Sequence, residues 1–275
     1  MRTALLLVLP ALLSAAQPAT RDLSLTTPDG FVLKGTLTLP AKAGNAPVVI
    51  LAHSFGRDRT GWQPLVEALN ARGIATLALD LRGHGQSTQK GGATVKVTDD
   101  FAASSAAVGF DRIPDDLAQA AAWVRREKGI DGRRLGLAGA SVGAYAVLAA
   151  APRIHPVAVL ALSPAGGWGD KPELRIARAA EEARAAVFVA ASQDDAPAMA
   201  NAQALAPVTG VYARIASGRE HGFDYLPELT PTFAGWFGEV LGHRAASGKA
   251  PAKGGALAVP ANGKPATPMP SEEVK

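Results

Sequence analysis

The stretch Arg134-Leu-Gly-Leu-Ala-Gly-Ala-Ser-Val-Gly-Ala-Tyr145 indicates how this chain folds. It begins with apolar residues that suit a buried strand and passes into an alanine-rich run that suits a helix. We predict a sharp strand-to-helix turn with Ser141 at its tip, flanked by Gly139 and Gly143 because side chains there would collide with neighbouring elements. The Ser141 hydroxyl would then project from the carboxyl edge of a sheet, beside the free amides at the start of the helix.

Strand-like and helix-like segments alternate around this turn from Val48 onward. This alternation predicts an α/β fold, with a mostly parallel sheet of about eight strands and helices on both faces. The preceding segments, 22–30 and 31–39, predict an antiparallel hairpin at one edge of the sheet, with Asp29-Gly30 as its turn. The closing helix is expected from Pro227 to about Gly242. Residues 88–113 show no convincing period and predict a long functional loop.

The two ends of the chain differ from this body in composition. Residues 1–16 combine Arg2, an apolar run and small residues, a pattern typical of a signal peptide cleaved after Ala16, although an ordinary N-terminal helix is the alternative. The sequence thus predicts a secreted or periplasmic protein with one domain at 17–243. Residues 244–275 are rich in Ala, Pro, Gly and Lys and predict a disordered tail.

Composition excludes several classes of site and partner. The chain has no cysteine, which rules out disulfides, thiolate nucleophiles and Cys-ligated zinc. Its net charge of +4 resides in Arg2 and the tail, so the neutral body offers no broad surface for nucleic acid. No stretch after the N-terminus is long and apolar enough to span a membrane.

A serine nucleophile needs a base and an acid, which we sought in the loops that follow predicted strands. His221 follows the last strand in a loop with glycines on both sides, and we predict that it is the base. The other histidines precede Ser141 or are poorly placed, before a strand or at the end of a helix: His53, His84, His155 and His243. Asp194 and Asp195 follow the strand that ends at Ala191, and either could orient His221 while the other caps the next helix.

The negative charge that develops on the substrate oxygen requires two N–H donors. The amide of Val142, at the start of the helix after Ser141, is the first candidate. The second would come from the loop after Ala52, where Phe55 is the most plausible donor.

Serine, acid and histidine in this chain order, together with the leading hairpin, resemble the α/β-hydrolase family over residues 22–243. His53-Ser-Phe-Gly56 is similar to the family's His-Gly-x-Gly oxyanion loop, with Ser54 in place of the usual glycine. Asp80-Leu-Arg-Gly-His-Gly-Gln-Ser87 resembles its Asp-x-Arg-Gly-His-Gly-x-Ser segment. Ser192-Gln-Asp-Asp195 fits the acid motif Gly-x-x-Asp with Ser for Gly, which favours Asp195 over Asp194. By the same resemblance, His53 and His84 frame loops and move no protons.

The resemblance implies hydrolysis of a small-molecule ester through an acyl-enzyme, with no cofactor and no metal. Residues 163–186 leave room for only a loop and one helix, so we expect a minimal lid and an open site like those of small esterases and dienelactone-hydrolase-like proteins. Candidate pocket walls are Trp168, Leu81 and Phe223. A peptidase or a thioesterase of the same fold is the alternative within enzymes, and a catalytically silent binding module is the alternative outside them.

Overall fold

The computed structural model describes residues 18–41, 44–168 and 170–247, with side chains as far as Gly242. The expected signal peptide lies outside the described residues, as does the tail beyond Ser247. Within the described ranges, no helix has the length and apolar character needed to cross a bilayer.

A ten-stranded mixed sheet forms the centre of the fold. The strands are β1 Ala19–Thr26, β2 Phe31–Leu39, β3 Ala46–Ala52, β4 Ala75–Asp80, β5 Gln89–Lys90, β6 Ala93–Thr94, β7 Ile130–Ala140, β8 Ala158–Leu162, β9 Ala186–Ser192 and β10 Val211–Ala216. Their order in the sheet is β10-β9-β8-β7-β3-β4-β2-β5-β6, with β1 paired to β2. Strands β3, β4 and β7 to β10 are parallel, whereas β1, β2, β5 and β6 pair antiparallel. The hairpin expected at the N-terminus is confirmed.

Helices cover both faces of this sheet. The helices are α1 Gln63–Ala71, α2 Phe101–Val108, α3 Ile113–Val124, α4 Val142–Ile154, α5 Pro172–Ala183, α6 Ala196–Leu205 and α7 Leu226–Ser247. Helices α3 to α6 pack on one face and α1 and α7 on the other. In β3, Val48 and Ile50 contribute to the first core, while Val49 and Leu51 contribute to the second. Because both faces are covered, the central strands are continuously apolar.

The segment 88–113, expected to be a loop, contains ordered elements and accounts for the count of ten strands instead of eight. Strands β5 and β6 form a two-residue hairpin across Gly91 and Gly92, both with positive φ, and β5 extends the sheet beside β2. Helix α2 follows. The Asp100 side chain accepts a hydrogen bond from the Ala103 amide at its start, and Gly109 at φ 77° ends it. The segment therefore contains regular secondary structure that the sequence pattern did not indicate.

The end of α7 and the connection between β8 and β9 define the end of the domain and the cover of the candidate site. Helix α7 continues to Ser247, five residues past the expected end at about Gly242. In the described residues between β8 and β9, α5 is the only helix, which confirms the minimal lid.

Candidate active site

The carboxyl ends of the parallel strands bring distant loops together at one edge of the sheet. Strand β7 ends at Ala140, directly before Ser141. Strands β9 and β10 lead to the loops that carry Asp195 and His221, and β3 leads to Phe55. Parallel pairing aligns these strands, with Ala52 of β3 opposite Gly139 of β7. The predicted candidates thus all follow carboxyl strand ends at a single edge.

Ser141 occupies the sharp turn that the sequence predicts. Its backbone has φ 53° and ψ −118°, a strained conformation for a residue with a side chain, and α4 begins at Val142. The two glycines permit the turn by close backbone approach. A Cβ on Gly139 would lie 2.3 Å from the Gly143 carbonyl oxygen, and a Cβ on Gly143 would lie 2.3 Å from the Ala52 carbonyl oxygen.

Gly143→Ala is expected to lower the free energy of unfolding by about 1–3 kcal/mol, because the added methyl group meets backbone atoms that cannot rotate away. Gly235→Ala is the matched control. It lies within α7 with no atom within 4 Å of an added Cβ, so alanine should stabilise the helix by about 0.5–1 kcal/mol. Urea denaturation of both variants measures the difference. Equal stabilities would show that α4 does not sit as closely against β3 as described.

The imidazole of His221 contacts the carboxylate of Asp195, with Nδ1 and Oδ2 2.6 Å apart. The Asp195 side chain is 10% exposed and makes no capping hydrogen bond to α6, although Asp195 occupies the N-cap position. Asp194 is exposed on the surface. A carboxylate only accepts hydrogen bonds, so His221 Nδ1 carries the proton and Nε2 is left as an acceptor. This is the tautomer that a general base requires.

The residue after His221 lies beside Ser141. A Cβ on Gly222 would be 4.0 Å from the Ser141 amide nitrogen and 2.8 Å from the Ser54 hydroxyl oxygen. The Oγ of Ser141 makes no hydrogen bond within the described parts of the chain, so the structure brings the two loops together without closing a contact between the hydroxyl and the imidazole. The His221 side chain is 40% exposed, which leaves this edge open to solvent.

The two candidate oxyanion donors also follow strands at this edge. Val142 is the first residue of α4, where an amide has no partner within its own helix. Phe55 lies in the turn after β3, and no acceptor in the described ranges takes its amide. Both N–H groups are therefore available to a substrate oxygen.

The three residues expected to line a pocket have different environments. Leu81 is 3% exposed and belongs to the apolar core, so it presents almost no surface to a ligand. Trp168 stacks on Tyr145 with ring centroids 4.6 Å apart. Phe223 packs edge-on against Trp62 at 4.9 Å. Trp168 and Phe223 are therefore held by packing against other aromatic rings, and Leu81 belongs to the core.

Phe101, which the sequence left in an expected loop, is a large apolar side chain exposed near the candidate site. It is 38% exposed and lies 5.2 Å from the Phe55 ring, centroid to centroid. A Cβ on Gly166 would lie 2.9 Å from the Phe101 ring and 3.8 Å from the Val142 Cβ. Phe101 therefore places an apolar surface next to both loops that hold the candidate oxyanion donors.

His53 and His84 are buried behind these loops. His53 accepts the Leu81 amide at Nε2 (2.9 Å) and donates from Nδ1 to the Ser54 carbonyl (2.7 Å). Burial, reinforced by the neighbouring His84, lowers the pKa of His53 to about 3. Burial lowers the pKa of His84 as well. Both rings are therefore neutral at physiological pH and hold the backbone of the loops in place.

The free energy of unfolding is expected to fall between pH 7 and pH 5, with His53 contributing about 2 kcal/mol to the loss. The unfolded chain gains a proton on this ring near its ordinary pKa of 6.5, whereas the folded chain does not until about pH 3. The destabilising effect of His53 is thus small above pH 6.5, and it grows progressively as the pH falls below that value. Denaturant titrations at several pH values measure the slope. His53→Gln should flatten it, and an unchanged slope would contradict the buried neutral ring.

Asp80, the last residue of β4, and Arg82, two residues later, are held by charged contacts away from the candidate triad. Arg82 is 1% exposed and donates to Asp116 from Nε (2.7 Å) and Nη2 (2.8 Å). It also donates to Asp29 in the hairpin turn. Asp80 accepts the amides of Arg59 and Gln86. These bonds fasten the loop to α3 and to the hairpin.

In the described ranges, His, Asp and Glu side chains form no group of three or more that could hold a metal ion.

The model of the serine aminopeptidase S33 family matches residues 44–206, and the chain belongs to this family of α/β hydrolases. The match includes Ser141 and Asp195 and ends before His221. Two uncharacterized proteins of Mycobacterium tuberculosis are 26% identical over 151 residues, which is 55% of this chain and 48% of theirs. The chain thus spans about half the length of these curated relatives.

Solved structures confirm the fold. A dienelactone hydrolase from Anabaena variabilis aligns with a TM-score of 0.58 and 21% identity, over 82% of this chain and 98% of that one. An esterase from Pyrococcus furiosus aligns with a TM-score of 0.60 and 17% identity, over 82% and 93% of the two chains. At such low identity these structures show a likeness of fold alone.

Proposed function

We propose that this member of the S33 family is a serine hydrolase that cleaves small carboxylic esters, with Ser141 as nucleophile, His221 as base and Asp195 as the orienting acid. The observation that carries the proposal is the 2.6 Å contact between His221 and Asp195, on a loop whose next residue lies beside Ser141. A hydroxyl becomes a useful nucleophile only when a base is positioned to take its proton.

The reaction follows from these positions. His221 Nε2 takes the proton of the Ser141 hydroxyl as its oxygen attacks the ester carbonyl. Asp195 holds the ring and stabilises the imidazolium that forms. The amides of Val142 and Phe55 donate to the oxyanion, and each such donor contributes about 3–4 kcal/mol to lowering the barrier. The imidazolium then protonates the leaving alcohol, and water attacks the acyl-enzyme by the same route.

An open site favours small esters over long acyl chains. The described residues between β8 and β9 contain one helix, α5, and the His221 side chain is 40% exposed. The exposed ring of Phe101 offers one apolar contact for the substrate.

Peptide hydrolysis is the second candidate function, because the matching family is described as serine aminopeptidases. The proposed triad serves amides and esters alike, so the two differ in how the substrate is held. Thioester hydrolysis would use the same groups, whereas a catalytically silent binding module has no need of an oriented imidazole.

We also propose that the protein is exported, because residues 1–16 have the pattern of a signal peptide.

The test is turnover of p-nitrophenyl acetate by the full chain, with and without a fluorophosphonate probe that labels activated serines. We expect turnover, stoichiometric labelling and loss of activity on labelling. Turnover of aminoacyl p-nitroanilides in the same assay distinguishes a peptidase from an esterase. If the folded protein shows neither turnover nor labelling, the binding module is the better description.

A further inference from the structure

A series of buried hydroxyl groups lies behind the loop that carries His221. Ser163 accepts the Gly222 amide at its Oγ, 3.1 Å away. The Tyr225 hydroxyl lies 2.7 Å from the Oγ of Ser192. It also lies close enough to the Ser163 side chain for Ser163 to lower the pKa of Tyr225 against the raising effect of burial. The Ser192 hydroxyl donates to the Glu220 carboxylate at 2.9 Å. The series therefore begins at the residue after His221 and ends at the residue before it.

The proton positions in this series follow from which groups can donate. The Glu220 carboxylate only accepts, so the one proton of Ser192 is directed to it. Tyr225 must then donate to Ser192. The Ser163 oxygen accepts the Gly222 amide on the other side of His221. The hydrogen bonds from Tyr225 through Ser192 to Glu220 run in one direction and reinforce one another.

The ring of His221 has little else to fix it. The ring pairs with Asp195 at 2.6 Å, its side chain is 40% exposed, and Ser141 Oγ makes no hydrogen bond to it within the described residues. Its backbone amide donates to the exposed Asp224. The groups behind it are much better buried, since Ser163 and Ser192 are both 0% exposed and Tyr225 is 4% exposed. Orientation must therefore come largely from the backbone on either side.

The backbone conformation of Ser163 also supports a fixed position for the loop that carries His221. It is fully buried with φ 47°, in the region that favours glycine, at the end of β8. Its amide donates to Ala190 of β9. Strain of this kind persists where the surroundings fix the residue, and here it directs the hydroxyl toward Gly222.

We propose that the Ser163–Tyr225–Ser192 hydroxyl series positions His221 for catalysis by holding Glu220 and Gly222, with Tyr225 as the positioning residue at its centre. This inference rests on the proposed function of His221. The residues of the series act through the loop and do not touch the reacting atoms.

The test is Tyr225→Phe, which removes one oxygen and keeps the buried ring. We expect kcat for p-nitrophenyl acetate to fall about 10- to 100-fold while KM stays within twofold, because a base displaced by about 1 Å loses that much rate. A second readout does not depend on activity. The proton on His221 Nδ1, visible by NMR as a downfield signal that Asp195→Asn abolishes, should broaden or disappear. Ser163→Ala, which removes the hydroxyl bound to Gly222, should act in the same direction.

Tyr145→Phe is the matched control. Tyr145 is 1% exposed and donates to the Pro172 carbonyl, with no bond to the His221 loop. Tyr145→Phe should lower Tm as much as Tyr225→Phe does and leave both kcat and the NMR signal unchanged. If Tyr225→Phe keeps the signal sharp and kcat within twofold of wild type, the positioning role is overturned. If the wild type shows the signal but no turnover or labelling, the proposed function fails, and the NMR comparison still decides the positioning.

Discussion

Replacing Ser141 by alanine is expected to lower kcat for p-nitrophenyl acetate by about 10⁶-fold, since losing the nucleophile costs about as much as losing the whole triad. The amides of Val142 and Phe55 remain, so activity of about 10³- to 10⁴-fold over water should persist. Tm should change little, because alanine has the same Cβ at φ 53° and Ser141 Oγ makes no hydrogen bond within the described residues.

Burst-phase kinetics and fluorophosphonate labelling measure this effect, with Ser24→Ala as the control. Ser24 is an exposed serine on β1, in the antiparallel hairpin, so its loss should change neither quantity. Labelling that persists in Ser141→Ala would show that another serine is the nucleophile.

The second large effect is expected from replacing Asp195, the proposed acid. Asp195→Asn should lower kcat by about 10⁴-fold, because an amide nitrogen facing Nδ1 favours the opposite tautomer and places the proton on Nε2. Nε2 could then no longer take the serine proton. KM should be nearly unchanged, since Asp195 lies behind the ring at 2.6 Å, on the side away from Nε2.

Asp194→Asn is the control for this variant because it makes the same chemical change one residue earlier in the chain. The Asp194 side chain is exposed, while its amide bonds to the Gly218 carbonyl, so the variant should keep activity within twofold. Initial rates across pH 6–9 compare the two proteins. Full activity in Asp195→Asn together with a loss in Asp194→Asn would reverse the assignment.

The features that the sequence predicted are those with local signals. The apolar run before Ser141 and the glycines around it determine the turn within a few residues, and alternating strands and helices predict the parallel sheet. Helix α2 was missed because its alanines and serines carry no apolar period. Its capping residues, Asp100 and Gly109, were the available signal.

The contacts missed at the candidate site join residues far apart in the chain. Gly222 meets a hydroxyl 59 residues earlier, and Ser192 meets the Tyr225 hydroxyl 33 residues later. No local pattern encodes such pairs. Ser192 did stand out in the sequence, as a serine where the family motif has glycine, and its hydroxyl donates to Glu220. A departure from a motif was thus the one sequence signal for the hydroxyl series.

The single helix between β8 and β9 bears on how new specificities can arise on this scaffold. Both ends of the connection are anchored, at Leu162 and Ala186, by strands paired to their neighbours. Lengthening a connection between fixed ends costs little, about 0.6 kcal/mol for each doubling of a flexible loop. Insertions there can cover the candidate site and select larger substrates while the sheet and the edge that carries the proposed triad remain as they are.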